Sequence, residues 1–317
     1  MNIFQNIKHK NYLAMRPTYI DCTPHGFEII KEHKLDHLIP GLLINVGDPK
    51  PDKLNALLKS SQAIINGRTI LDAKILKKHA HIKTIVFLGT GPSTYIDMEA
   101  AKRLGIQVIP VIGYGDRTNA EHAIALMFAA ARNIASMDRQ IRDGVWQTQM
   151  GLELKQKQLG VIGAGRIGQE VIRIAAAIGM QVVCWNRSPI KQGLPCKQVS
   201  LDELLQGSDI ISLHLALTEE TRHLLAEKEL SKLKPSCIVV NAARGELIDE
   251  EALINALTHH KIKHAALDVF DQEPLPKGHP FLALDNVTLT AHAAFSSQSS
   301  MLNLLKMGIE NLAHSLK

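Results

Sequence analysis

Residues 158–185 contain the segment that most narrows the folds open to this chain. Leu159-Gly160-Val161-Ile162 is a short apolar run that breaks into Gly163-Ala164-Gly165-Arg166-Ile167-Gly168, a Gly-x-Gly-x-x-Gly turn. Gln158 to Ile162 reads as a buried strand. After the turn, apolar residues recur at Ile167, Val171, Ile174 and Ile178, the stripe of an amphipathic helix, and Gly179 falls where its C-terminal cap belongs. Val182 to Trp185 is a second apolar strand. A glycine turn between strand and helix suits a dinucleotide pyrophosphate, because it allows close backbone approach and offers unpaired N–H groups at a helix start. A tight turn without ligand is the alternative, and the strand, helix and second strand around it favour the cofactor.

The same alternation runs through the chain. Tyr19-Ile20, Leu42 to Asn45, Ala63 to Asn66, Thr84 to Leu88 and Gln107 to Ile109 read as buried strands, separated by helices at Asp52 to Lys59, Ala73 to Lys78 and Asp97 to Leu104. A long helix is predicted from about Asn119 to Arg142. Ser200-Leu201-Asp202-Glu203 has capping-box spacing and opens a further helix. Strands follow at Ile210 to Leu215, Cys237 to Asn241, Ala265 to Leu267 and Val287 to Leu289. Asp249 is placed as the cap of a helix from Glu250 to His259, and Met301 to Leu316 is the last helix. Such alternation predicts parallel sheets with helices on both faces. With 317 residues, about two domains fit. The expected fold is α/β: two doubly wound parallel-sheet domains, Rossmann-like and flavodoxin-like, with the active site in the cleft between them. A coenzyme domain at 119–290 is inserted into a discontinuous substrate domain of 1–118 plus 291–317.

Composition excludes several classes of function. Apolar residues make up 45% and charged residues 21% of the chain, as in ordinary soluble domains. The net charge of +5 is dispersed, and the short clusters Lys8-His9-Lys10 and Lys31 to Lys34 read as solvated surface, so no nucleic-acid partner is expected. No run of 18 uncharged apolar residues exists and no apolar signal core is seen, so neither membrane nor export is expected. Cys22, Cys184, Cys196 and Cys237 lack Cys-x-x-Cys spacing, which points to reduced thiols in a cytoplasmic protein without a metal site.

Three ionisable residues each follow a predicted strand: Arg244 in Asn241-Ala242-Ala243-Arg244-Gly245, Glu273 in Leu267-Asp268-Val269-Phe270-Asp271-Gln272-Glu273-Pro274, and His292 in Thr290-Ala291-His292-Ala293-Ala294-Phe295. Ligands of open parallel sheets bind beyond the carboxyl ends of the strands, so the three can converge beside a nicotinamide. Reduction of a 2-oxo acid needs a planar cation for the carboxylate and carbonyl oxygen, which Arg provides. It also needs a proton donor at that oxygen, which His provides when a carboxylate such as Glu273 stands beside it. Taken singly, each residue has an ordinary surface role; the set after a dinucleotide turn is what carries the reading.

The order of these segments resembles the D-isomer-specific 2-hydroxyacid dehydrogenases over nearly the whole chain. Ile211 to Thr218, Ala120-Glu121-His122 and Gly144-Val145-Trp146 also resemble that family's segments. The resemblance implies that Arg244 binds substrate, His292 is the general acid/base and Glu273 is its partner. It further implies that Asp268 holds the nicotinamide carboxamide, that Gly163, Gly165, Arg166, Ile167, Gly168 and Ala242 contact the cofactor, and that Gly89-Thr90-Gly91 contacts the substrate carboxylate. A homodimer is implied as well. The partner is a small 2-oxo or 2-hydroxy acid, with glyoxylate, hydroxypyruvate and branched or aromatic 2-oxo acids all open. The alternative is a corepressor-like protein that senses NAD(H) on the same fold.

This sequence departs from the family pattern at three places. Where NAD-preferring members carry Asp after the second coenzyme-domain strand, it has Asn186-Arg187-Ser188. Without that negative charge, Arg187 and Ser188 are placed to bind a 2′-phosphate, so NADPH is the cofactor towards which the NAD(P)H reading leans; the alternative is Asn186 hydrogen-bonding the NAD ribose with Arg187 pointing to solvent. Phe295 is bulkier than the residues usual after the histidine. Gly91 to Tyr95 lacks the usual Asp-Asn, and Tyr95 either faces substrate or packs.

Overall fold

In the first unit, β1 (Thr18–Cys22), α1 (Pro24–Glu32), β2 (Leu43–Val46), α2 (Pro51–Lys59), β3 (Ala63–Asn66), α3 (Ala73–Lys78), β4 (Thr84–Phe87), α4 (Met98–Arg103) and β5 (Gln107–Pro110) follow one another along the chain. The five strands are parallel, in the order β2-β1-β3-β4-β5. Strands β1, β3 and β4 are buried at every position, and so read as continuous apolar runs, as parallel strands covered on both faces must. Successive side chains serve opposite cores: Tyr19, Ile65 and Val86 pack on one face, Ile20, Ile64 and Ile85 on the other. The sequence reading passed over α1. Its signals are Thr23, whose Oγ1 accepts from the Gly26 N–H, and Pro24 in the first turn.

The computed structural model describes residues 15–316, so Lys8-His9-Lys10 lies outside the described residues. The chain divides into two units, residues 1–114 with 298–317, and residues 115–297. Among the described residues no helix is long and apolar enough to cross a membrane.

The second unit contains α5 (Asp116–Ala131), α6 (Ile134–Arg142), β6 (Gln158–Ile162), α7 (Arg166–Ala177), β7 (Gln181–Trp185), β8 (Lys197–Gln198), α8 (Leu201–Gly207), β9 (Ile210–Leu213), α9 (Glu227–Leu230), β10 (Ile238–Asn241), α10 (Glu250–Thr258), β11 (His264–Leu267) and β12 (Val287–Leu289). Its seven parallel strands run β12-β11-β10-β9-β6-β7-β8, so the winding reverses between β6 and β9. That is where an open sheet leaves a crevice at its carboxyl edge. Ser200 and Asp249 cap α8 and α10 as expected, accepting from the Glu203 and Ala252 N–H groups. The last helix, α11 (Gln298–Ser315), belongs to the first unit, where Leu304, Leu305, Ile309 and Leu312 join its core.

Two expectations are corrected. The single helix over 119–142 is two helices, because Asn133 takes a left-handed φ of 53°, a conformation Asn tolerates better than most residues. Its side chain donates to the Met150 carbonyl. Residues 291–297, read as returning to the first unit, stay in the second. The His292 N–H donates to the Asp268 carbonyl, and the Ala293 and Ala294 N–H groups donate to the Asp268 carboxylate.

Candidate active site

The glycine turn joins β6 to α7 at the reversal of winding. Gly163 has a φ of 99°, and a methyl there would stand 2.6 Å from the His214 carbonyl oxygen. A methyl on Gly168 would stand 2.0 Å from the Gly163 carbonyl, so helix and turn close only without a side chain. Gly165 differs: a methyl there meets nothing within 4 Å. It caps α7 without a side-chain hydrogen bond, leaving first-turn N–H groups facing open space, the environment a pyrophosphate requires. The residues therefore fit a dinucleotide. The Arg166 side chain turns away to pair with Asp116 at 2.5 Å, and Ile167 packs on the core. What these two offer a cofactor is therefore backbone N–H. Beneath the turn, burial pushes the His214 imidazole down to about 4, so it stays neutral, 2.8 Å from the Ser212 hydroxyl.

Three strand ends assemble the polar set. Asn241 closes β10, and its side chain accepts from the Ala243 N–H and donates to the Arg244 carbonyl. That fixes the turn of Ala242, Ala243 and Arg244. Gly245 then passes so close to the Phe270–Asp271 backbone that a methyl would lie 2.1 Å from the Phe270 carbonyl carbon. This approach, which the sequence reading missed, sets the Arg244 turn against the loop bearing Glu273. Glu273 Oε1 accepts from the Phe270 N–H at 3.1 Å, and Oε2 stands 2.6 Å from His292 Nδ1. Burial pushes the Glu273 carboxyl up, but His292, the Phe270 N–H and the Arg244 guanidinium outweigh it and hold the group below its ordinary value. Arg244 also donates to the Ala243 carbonyl. Phe295 stands edge-on to the His292 ring, 6.4 Å between centroids.

Asp268, expected at the nicotinamide, lies directly after β11 beneath the His292 loop. Its side chain is 0% exposed. Its carboxylate accepts from Thr290 Oγ1 and from the N–H groups of Ala293 and Ala294, at 2.5, 2.8 and 2.9 Å. The geometry makes it the clamp of the His292 loop.

In the first unit, Gly89, Thr90 and Gly91 follow β4. Gly89 needs its glycine (φ 157°, with the Phe87 ring against it), whereas Gly91 has a negative φ of -119° that does not require glycine. Tyr95 packs on Phe87, ring centroids 5.6 Å apart. At the end of β7, Asn186 Oδ1 accepts from the Ala164 N–H while its amide donates to Ser188. Its side chain thus ties the loop after β7 to the glycine turn. Arg187 is 88% exposed and pairs with Glu220.

A dinucleotide cradle and a hydrogen-bonded histidine–carboxylate pair on one sheet edge define a class, the nicotinamide-dependent oxidoreductases. Residues 124–294 match the family model described as D-isomer specific 2-hydroxyacid dehydrogenase, NAD binding domain. The chain is similar to a glyoxylate reductase of Aeropyrum pernix, 39% identical over 76% of each chain. It is 37% identical to a D-3-phosphoglycerate dehydrogenase of Archaeoglobus fulgidus over 92% of its own length, spanning 56% of that protein. A solved acyclic imino acid reductase in complex with NADPH and D-Arg superposes with a TM-score of 0.82 at 31% identity, over 95% of this chain and 97% of that one. The chain belongs to the D-isomer-specific 2-hydroxyacid dehydrogenase family, and its cofactor is a nicotinamide dinucleotide. None of these comparisons supports the corepressor-like alternative.

Proposed function

We propose that this chain reduces a small 2-oxo acid reversibly to the D-2-hydroxy acid, with NADPH used at least as well as NADH. The observation that carries the reading is the 2.6 Å contact of His292 with Glu273, beside the Arg244 turn. Bound reduced nicotinamide supplies the hydride to carbon two of the substrate. Arg244 holds the substrate carboxylate and carbonyl oxygen. Glu273 fixes His292 through Nδ1, so Nε2 carries the proton delivered to the carbonyl oxygen, and the carboxylate stabilises the imidazolium meanwhile.

Three features support NADPH. Asn186 brings no charge to repel a 2′-phosphate. Ser188 lies beside it. Arg187 is held only by an exposed ion pair with Glu220, which is worth about 0–1 kcal/mol and so is readily exchanged for phosphate.

A homodimer fits the apolar arm of the second unit, where Ile141, Val145, Trp146 and Met150 stand open, the last two 89% and 92% exposed. The test is turnover of NADPH and NADH with a panel including glyoxylate, hydroxypyruvate, and branched and aromatic 2-oxo acids. No turnover of any member overturns the reaction. An NADH preference above about tenfold, or 1.4 kcal/mol, overturns the cofactor preference.

A further inference from the structure

His292 sits in a backbone conformation that needs holding. Its φ is 48°, in the left-handed region that a residue with a β-carbon occupies only when its surroundings impose it. The buried Asp268 carboxylate imposes it from below, through Thr290, Ala293 and Ala294. A fourth group reaches the same point from a different element. His122, on α5, places Nε2 at 3.1 Å from Thr290 Oγ1 and 3.3 Å from Asp268 Oδ1. The direction of these bonds follows from what each atom can do. The carboxylate only accepts, and the Thr290 O–H is directed at Asp268 Oδ1 at 2.5 Å. The Thr290 oxygen therefore faces His122 as an acceptor, and His122 Nε2 must carry the hydrogen. Helix α5 is in turn fixed to the sheet by Ala120, Ala123, Ile124 and Met127, which are buried in the core with Val240 and Ala266.

We infer that His122 is a positioning residue for the reaction: through Thr290 and Asp268 it pins the loop carrying His292 to helix α5. The role rests on the reading of His292 as the proton carrier. His122 touches neither substrate nor cofactor in this scheme. It donates to Thr290, whose hydroxyl donates to the buried Asp268 carboxylate, and that carboxylate sets the backbone from which His292 projects. Losing the N–H leaves Thr290 Oγ1 without its donor from α5 and lets residues 290–294 relax. The proton donor then moves off line while the cofactor cradle at Gly163 to Gly168 is untouched. The effect belongs in kcat, since displacement of a reacting group by about 1 Å costs up to a hundredfold.

The test compares His122→Leu, His122→Gln, Thr290→Val and the double variant His122→Leu/Thr290→Val with His292→Gln. Each is assayed for kcat, KM, NADPH affinity and melting temperature. Expected for His122→Leu and Thr290→Val is a fall in kcat of about ten- to a hundredfold, with KM and cofactor affinity within about threefold of the parent. His122→Gln, which keeps an N–H donor, recovers kcat to within about threefold. The double variant is no slower than the slower single, because both remove one link. Parent-like kcat in His122→Leu with an inactive His292→Gln overturns the role of His122. So does a His122→Gln as slow as His122→Leu, or a double variant whose losses multiply. Should His122→Leu not fold, Thr290→Val decides between the outcomes: full kcat there overturns the role. Full activity of His292→Gln instead defeats the proton-carrier reading itself.

Discussion

Replacing Glu273 by Gln keeps the shape of the pair with His292 and removes its charge. A neutral amide cannot stabilise the imidazolium as a carboxylate does. The Oε2–Nδ1 distance is 2.6 Å, which puts the centres of charge about 4 Å apart, where attraction is worth ~1 kcal/mol in water and ~4 kcal/mol at an effective dielectric constant of 20. The side chains are 41% and 35% exposed, so solvent screens the pair and the lower half of that range applies, about 1–2 kcal/mol. That predicts a fall in kcat/KM for 2-oxo acid reduction of about five- to thirtyfold. The sign of the pH effect follows. Reduction draws on a proton held by His292, and that imidazolium is what the carboxylate stabilises. In the parent, the Glu273 carboxyl is held below its ordinary value, so the pair persists until the pH falls through the lower carboxylate range. Steady-state kinetics across pH, with saturating cofactor, reads both effects. A change in kcat/KM below about twofold refutes the electrostatic role.

Other outcomes follow from the same geometry. Gly168→Ala puts a methyl 2.0 Å from the Gly163 carbonyl, so a loss of about 1–3 kcal/mol in denaturant unfolding is expected together with weaker NADPH binding. Gly165→Ala meets open space, so its melting temperature stays put while NADPH affinity falls; unchanged affinity would count against the cradle. Burial pushes both His214 and His264 down to about 4. The unfolded chain therefore binds those protons first as pH falls, and stability declines between about pH 6.5 and 4 by up to ~3 kcal/mol for each histidine, with a plateau above. A melting temperature flat from pH 7 to about 4.5 contradicts this. Trp146→Glu should turn a dimer into a monomer by light scattering; a monomeric parent removes the dimer proposal.

Strand-level architecture was legible because buried parallel strands are continuous apolar runs and glycine punctuates their ends. The pairing of Glu273 with His292 was legible for a related reason: both lie just beyond strands whose ends share one sheet edge. Asp268 was not, because the bonds its carboxylate makes depend on how residues 290–294 fold more than twenty positions later. Asn186 shows the same limit. Its missing charge can be read in the chain, but its tie to the Ala164 N–H exists only once β6 and β7 pair. The break at Asn133 rests on one left-handed residue inside a helical pattern. Gly245 carried a usable signal, a glycine directly after the strand-end arginine, whose meaning required the neighbouring loop.

The most direct test of the central claim is His292→Ala in the 2-oxo acid assay, with cofactor affinity measured on the same protein. The account predicts that reduction falls by about a hundredfold or more while NADPH binds as it does to the parent. Turnover at the parent rate would contradict it.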